Sequence, residues 1–560
     1  MFDLVIEQAD VIDGTGTPAF RADIGVTGRR ITAIGDLSPT VARRVIHAHG
    51  LVACPGFIDT HVHTDAALLN EPQHPSGIGM GVTTEVLGQD GLSYAPLSRD
   101  NYRDYSRYMS GLCGMPPQDL DMSSIAAFKS HYHKKCAVNT VALIPHCAVR
   151  LETVGFHDRP LRGDVLDKAR RIVRKGMEEG AAGVSFGLGF FPSAWADTTE
   201  LIELAKVVGE TGGVFVGQHR FFHFERAFGG GGAAEFIEIG LRSRAKVHLA
   251  HYFPRAFGAG GAGPAASAIE LGHAVEEFTQ DIDAAKDKGL DITLDAYPYP
   301  SGSTMPVCRL PGWALGGGTA AILRRLKSRA ERTKIIEYLE ERHGDSIGDT
   351  VFTFLGSESG HAGTGQLTSA PASGRDGLLR LEGMSWRDVA KQRGVSVAEM
   401  ACQVMAEEGL ACGLLVSPPN SVRLWQDTEH GVMELLKRPD YTVGSDAIPV
   451  GGMPHPRAFG AFPRILGRLR RRHGARLETL IHAMTKRAAD RFDLKGRGVL
   501  KPGVYADIVV FDPAQVSDTA TYEDPRQRPT GIPYVVVNGK IALDEGRFTG
   551  VIAGESLSPG

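Results

Sequence analysis

The chain has 560 residues, 42% of them hydrophobic and 22% charged, the balance of a folded globular protein and not of a disordered, collagenous or coiled-coil one. Sixty-one basic against sixty-five acidic side chains leave a net charge of −4, so no global basic field exists to hold nucleic acid or a membrane surface. The sixty-nine glycines point to many tight loops between regular elements.

The N-terminal stretch MFDLVIEQADVIDG carries acids where a signal peptide needs a basic segment and an apolar core. No run approaches the roughly 18 apolar residues of a membrane span. The seven cysteines (Cys54, Cys113, Cys136, Cys147, Cys308, Cys402 and Cys412) form no CxxC pair and are odd in number. That disfavours a disulfide framework and fits a reducing compartment. The expectation is a cytoplasmic protein without nucleic-acid or membrane partners.

Leu4-Val5-Ile6, Ile24-Gly25-Val26 and Arg30-Ile31-Thr32-Ala33-Ile34 read as short strands. Eight further candidate strands follow: Phe57–His63, Val82–Leu87, Thr140–Ile144, Gly183–Gly187, Val214–Gly217, Lys246–Ala250, Asp291–Asp295 and Tyr441–Gly444. Helical patterns such as Val165 to Glu179 and Thr198 to Glu210 lie between them. The alternation implies a parallel sheet with right-handed crossovers, and eight βα units imply an α/β fold of the (β/α)₈ barrel type, with its chemistry at the C-terminal strand ends. The seventh connection, Ser301 to Pro439, is too long for a structureless loop and is expected to be an elaborated insertion. The glycine-rich stretches Gly229–Gly232 and Gly258–Gly263 read as flexible loops. Near the end, Ala506–Phe511 and Tyr534–Lys540 repeat the texture of the start, the second with an Asn-Gly turn.

The sharpest motif is Pro55-Gly56-Phe57-Ile58-Asp59-Thr60-His61-Val62-His63. Side chains alternate along a strand, so His61 and His63 point to one side and can bind one metal ion together. His219 follows the fifth strand, His251 ends the sixth and Asp446 ends the eighth. Any one of these alone reads equally as a hydrogen-bonded structural residue. Together they supply the N and O ligands a zinc site needs, beside an open position for water.

These motifs resemble the amidohydrolase superfamily and, within it, the N-acyl-D-amino-acid deacylase (D-aminoacylase) family. The resemblance runs nearly end to end: Pro55–His63, Gly81-Val82-Thr83-Thr84, Gly180–Ser185, Asp295-Ala296-Tyr297-Pro298-Tyr299, Gly444-Ser445-Asp446, His455-Pro456-Arg457, Phe462-Pro463-Arg464 and Pro502–Pro513. It implies a barrel over residues 56–488, with the insertion near 301–439, and a small β-sandwich built from residues 1–55 and 489–560. It also implies zinc-dependent hydrolysis of a linear amide, an N-acyl-D-amino acid giving a carboxylate and a D-amino acid. His61 and His63 would be ligands of one metal site, His219 and His251 of the other, and Asp446 the acid/base, with one or two Zn²⁺ ions.

The chain departs from that pattern in three places. Where the family carries a bridging Cys after the second strand, this sequence reads Gly88-Gln89-Asp90-Gly91; Asp90 is the candidate replacement, and Glu85, on the opposite face, the reserve. No Lys lies on Gly183–Gly189, so the carboxylated lysine of hydantoinase-like relatives is not expected. The family lysine two residues after the sixth-strand histidine is Phe253 here, and a family tyrosine is Phe190. A substrate less anionic or more aromatic than usual is therefore expected, with Arg457, Arg150 or Arg220 as carboxylate partners. Ser303 fits the family's substrate-binding serine, and His146, at the third strand end, is a candidate pocket residue. His223 and His455 are weaker candidates, while His131, His133 and the Arg468–Arg472 cluster read as solvated surface. Alternatives are a cyclic amide or imide hydrolase of the hydantoinase or dihydroorotase type, a deacylase of a non-standard N-acyl compound, and a catalytically idle metal-binding scaffold.

Overall fold

The computed structural model describes residues 1–37, 41–254, 274–356 and 381–560. The Gly258–Gly263 stretch lies outside the described residues. The chain opens with five strands, β1 (Phe2–Val11), β2 (Phe20–Thr27), β3 (Arg30–Gly35), β4 (Ala42–His47) and β5 (Val52–Pro55). The central strands are β6 (Phe57–Asp59), β7 (Val82–Leu87), β8 (Asn139–Ala142), β9 (Ile144–Pro145), β10 (Gly183–Gly187), β11 (Val214–Gln218), β12 (Lys246–Leu249) and β13 (Ile292–Ala296). Next come β14 (Ser303–Thr304), β15 (Thr350–Leu355) and β16 (Cys412–Val416), then β17 (Tyr441–Val443). The chain ends with β18 (Ile508–Phe511), β19 (Tyr534–Val537), β20 (Lys540–Asp544), β21 (Arg547–Phe548) and β22 (Ser556–Leu557).

The fold is mixed α/β. β9 to β13 and β17 form one parallel sheet, while β6, β7 and β8 form another. One residue separates β8 from β9, so the chain passes directly from one sheet to the other. At the far edges the extension of β6 meets that of β17: Thr60 N donates to Val443 O at 3.3 Å, His63 N to Ala447 O at 2.9 Å and Asp446 N to His61 O at 2.8 Å.

Helices cover the outer faces for readable reasons. In Gly163–Glu178, Leu166, Ala169, Val173 and Met177 recur at three- and four-residue steps and form the buried stripe. The Thr198–Glu210 helix starts at Asp197, whose carboxylate accepts from Glu200 N at 2.9 Å. Inside, Ile58, Val86, Val141, Ala182, Val214 and Val216 pack on Phe492. Each fully buried Val or Ile contributes roughly 1.5–3 kcal/mol.

Strands from both chain ends share one nine-stranded sheet, in which β18 pairs with β5 and β5 with β1. Asn538 and Gly539 both have positive φ, 48° and 76°, as the tight β19–β20 turn requires. Between β13 and β17, β14, β15 and β16 build a small antiparallel sheet with helices packed on it. Gly232, at the end of the expected glycine loop, already begins the Gly232–Ser243 helix.

Candidate metal centre

Two groups of buried ligands share His61: His61, His63 and Asp90 form one, and His61, His251 and Asp446 the other, the donor atoms of each group lying within 4.8 Å of one another. Asp90 Oδ2 sits 3.5 Å from His61 Nε2, 3.6 Å from His63 Nε2 and 3.7 Å from His251 Nε2. Asp446 Oδ1 lies 3.4 Å from His63 Nε2 and 3.8 Å from His61 Nε2. A carboxylate ringed by three imidazoles, with a second carboxylate beside it, is a donor set suited to zinc.

The backbone is bent to make this set converge. Asp90, His251 and Asp446 are non-glycine residues with positive φ (55°, 35° and 53°), a conformation that costs of order 1–3 kcal/mol each and persists where surrounding structure enforces it. Around Asp90 the enforcement is visible. Ser185 Oγ accepts from Gly91 N at 3.0 Å and donates to Gly88 O, and Gln89 Nε2 donates to Thr60 O at 2.6 Å. A Cβ on Gly187 would lie 2.0 Å from the Asp90 carbonyl oxygen, so this neighbour has to be glycine.

Beneath the ligands stand two buried acids that sequence reasoning did not assign a role. Asp295 Oδ1 accepts from His251 N at 2.6 Å, and its Oδ2 pairs with His248 Nε2 at 2.9 Å and lies 3.9 Å from His61 Nδ1. It lies near the C-terminal end of β13, as His251 and Asp446 follow the C-terminal ends of β12 and β17, and that position was the available signal. Asp59 Oδ1 accepts from His61 N at 3.2 Å and Ser445 N at 2.9 Å, tying the β6 and β17 ends together. Burial, with Glu85 nearby, pushes the Asp59 carboxyl well above its ordinary range.

Charge balance within the cluster runs against burial. Burial opposes protonation of His61 and His63, yet the surrounding carboxylates, Asp90 and Asp446 foremost, carry both imidazoles above their ordinary pKa. Burial would raise Asp90 as well, but His61, His251 and His63 hold it well below the carboxylate range.

Known proteins resemble this chain over its whole length. A model of the amidohydrolase family matches residues 414–543. A D-aminoacylase of Alcaligenes xylosoxydans xylosoxydans is 31% identical over 574 residues, covering 100% of this chain and 98% of its own. A solved D-aminoacylase, described for the functional role of its binuclear metal centre, superposes with a TM-score of 0.75 at 29% identity, over 100% of both chains. An N-acyl-D-glutamate deacylase from Bordetella Bronchiseptica, solved with zinc and a phosphonate mimic of the tetrahedral intermediate, gives 0.74 at 27% identity, over 100% of this chain and 99% of its own.

The chain belongs to the D-aminoacylase family of amidohydrolases.

In this amidohydrolase the cluster fits a metal. His61 Nδ1 and Nε2, His63 Nδ1 and Asp90 Oδ1 are buried without hydrogen-bond partners among the described residues. A buried polar atom left in that state is costly, and a metal ion would satisfy several at once. His219 lies outside both groups. It is half-buried, its Nδ1 donates to the Arg220 carbonyl at 2.9 Å, and its ring packs on Phe221 and Tyr252. Val214, Val216 and Gln218 share the inward face of β11, so the next residue turns the other way.

The remaining candidates divide clearly. Arg457 Nη2 meets Asp446 Oδ2 at 2.9 Å and Ser303 O at 3.4 Å, and its guanidinium lies over the Tyr297 ring at 4.7 Å. Arg457 is fully buried, and its Nε and Nη1 have no hydrogen-bond partner among the described residues. Arg150 and Arg220 are committed elsewhere, to Glu200 and Glu235 and to backbone carbonyls. Ser303 Oγ donates to Leu414 O at 2.7 Å, inside the small antiparallel sheet. Phe253 packs edge-on against Tyr297 at 4.8 Å, and Phe190 is buried beside the Gly187–Asp90 contact.

His146 faces away from the cluster: Nδ1 accepts from Ser193 Oγ at 2.7 Å and Nε2 donates to Glu200 Oε1 at 3.1 Å. Glu85 is taken by His74 Nε2 and Thr64 Oγ1, each at 2.6 Å, on the other face of β7. His455 Nδ1 accepts from Arg457 N at 3.0 Å and Nε2 donates to Ser301 O at 3.0 Å, which sets its tautomer and steadies Arg457. Among the described residues no helix is long and apolar enough to cross a membrane.

Proposed function

We propose that this amidohydrolase hydrolyses an N-acyl-D-amino acid to a carboxylate and a D-amino acid at a centre of one or two zinc ions held by His61, His63, Asp90 and His251. His219 would join them only by turning its side chain when a second ion is bound. The parallel strands are read as a (β/α)₈ barrel, closed by the β6–β17 hydrogen bonds, and the strands from both ends as the small β-sandwich. The observation that carries the functional reading is the placement of Arg457, which holds the acid/base candidate with Nη2 while its Nε and Nη1 have no hydrogen-bond partner among the described residues.

When bound, zinc lowers the pKa of water and withdraws charge from the amide carbonyl. Asp446 stands where it can take the proton of the attacking water and return it to the leaving nitrogen. Arg457 Nη1 can donate to the substrate carboxylate while Nη2 keeps Asp446 in place, which sets the distance from carboxylate to scissile bond. Phe253 and Phe190 supply apolar walls where relatives supply a cation and a hydroxyl, and this favours apolar or aromatic side chains over acidic ones.

The test is amine release by zinc-supplemented enzyme across matched N-acyl D- and L-amino acids, with hydantoin included. Hydrolysis confined to D-substrates, fastest for apolar side chains, is expected. Ring opening of hydantoin with no N-acyl hydrolysis would replace this reading with the cyclic-amide one.

A further inference from the structure

Gln218 is the last residue of β11 and shares the inward parity of Val214 and Val216. Its register partner on β10 is Gly187, which has no side chain, so the amide reaches over that strand end. There Gln218 Nε2 lies 3.3 Å from His251 Nε2. An amide nitrogen can only donate, so the contact is a hydrogen bond when the imidazole is neutral with its proton on Nδ1, the tautomer that a metal ligand at Nε2 requires. The residue is buried, and Gln218 Oε1 has no hydrogen-bond partner among the described residues.

This hydrogen bond uses the lone pair that a metal ligand must give away. Once His251 Nε2 is committed to a metal ion, Gln218 Nε2–H loses its acceptor and remains a buried donor directed at the centre. A donor in that position needs an acceptor that arrives with the substrate.

We propose that Gln218 is a catalytic residue whose side-chain N–H donates to the substrate's amide carbonyl oxygen as that oxygen gains charge; this rests on the deacylase reading. In the step concerned, a water oxygen bonds to the carbonyl carbon, the C=O π pair moves onto the carbonyl oxygen and the water proton passes to Asp446. When the pair returns, the C–N bond breaks and Asp446 delivers the proton to nitrogen. Gln218 moves no proton. It stabilises the charge on oxygen between the two events, in a water-poor site where a fixed dipole counts most.

The experiment compares parent, Gln218→Leu and Gln218→Glu in the zinc-loaded enzyme. Each is assayed for zinc affinity by chelator competition, for kcat and KM on an N-acyl-D-amino acid, and for inhibition by the matching phosphonate. Both variants are expected to keep zinc affinity within about threefold and KM within about threefold, while kcat falls about 10²–10³-fold and phosphonate inhibition weakens by a similar factor. Gln218→Glu keeps the size and polarity of the side chain, so it separates loss of the donor from loss of folding. Either variant keeping parental kcat overturns the proposal. So does loss of zinc in step with activity, which would make Gln218 a metal-holding group. A parent that hydrolyses no N-acyl amino acid overturns the deacylase reading itself, whatever the variants do.

Discussion

Arg457 Nη2 and Asp446 Oδ2 lie 2.9 Å apart, and both side chains are buried. Burial alone would raise the Asp446 carboxyl, but Arg457, with His63, His61 and His251, holds it well below the carboxylate range. Removing the cation therefore moves Asp446 upward. In Arg457→Met the acid limb of the kcat/KM profile is expected at higher pH than in the parent. Arg457→Lys keeps the charge but cannot hold Asp446 and the substrate carboxylate on two fixed nitrogens, and should lose roughly 10²-fold in kcat/KM on N-acyl amino acids, mainly through KM. Hydrolysis of an N-acyl amine lacking the carboxylate should fall far less. Equal losses on both substrates would show that Arg457 serves only Asp446.

Asp446→Asn keeps shape and removes the proton acceptor. A fall in kcat of about 10²–10⁴-fold is expected, in the range of general acid–base catalysis. Zinc content measured on the same preparation should stay near parental, because Asn still offers an oxygen. A variant that hydrolyses as fast as the parent excludes Asp446 as the acid/base.

Asp90 Oδ2 is nearly equidistant from three imidazoles, so its loss should be felt by every ion in the centre. Asp90→Ala is expected to lower bound zinc sharply by elemental analysis, whereas Asp90→Cys, with a thiolate at the same place, should retain it. Gly187→Ala should reproduce the zinc loss of Asp90→Ala, since the added methyl would meet the Asp90 carbonyl. Full zinc in Asp90→Ala would remove Asp90 from the ligand set.

Glu200 gives a pH prediction away from the metal. Burial raises it, but the His146 hydrogen bond and the Arg150 charge bring it down to about 2. A depressed folded-state pKa stabilises above the ordinary carboxylate value and is lost as pH falls through the folded one. The contribution, roughly 3 kcal/mol at neutral pH, should therefore vanish between about pH 4.5 and 2. Glu200→Gln should lower the unfolding free energy from urea denaturation at pH 7 by about 3–5 kcal/mol for an opened buried pair, and flatten the acid slope in that window. An unchanged slope would place the acid sensitivity elsewhere.

The sequence reading located β7 and β10 to the residue because both are short stretches rich in β-branched or aromatic residues and bracketed by glycines. It located the His61–His63 pair because the motif is local. It did not show how Asp90, His251 and Asp446 would be turned inward, since positive φ in a non-glycine residue is imposed by neighbours such as Ser185 and leaves no compositional trace. For a related reason Gln218 was not singled out. A shift of one residue at a strand end exchanges which side chain faces inward, and sequence alone places strand ends poorly. Asp295 went unassigned because its partner, His248, lies on another strand. β22, two residues long, carries no periodic signal at all.

The last of these strands bears on how the molecule is made. β22 lies in register against β8, and Gly554 N donates to Cys136 O, so residues more than 400 positions after β8 pair into the sheet that carries the His61 strand. β1 and β5 likewise wait for β18 before their sheet is whole. A nascent chain can therefore gather its middle strands during synthesis but cannot fill either sheet until β18 and β22 have emerged. Such late, long-range pairing makes for slow acquisition of activity and exposed strand edges in the meantime. Expression hosts and temperatures that favour chaperone engagement should therefore raise the yield of active enzyme.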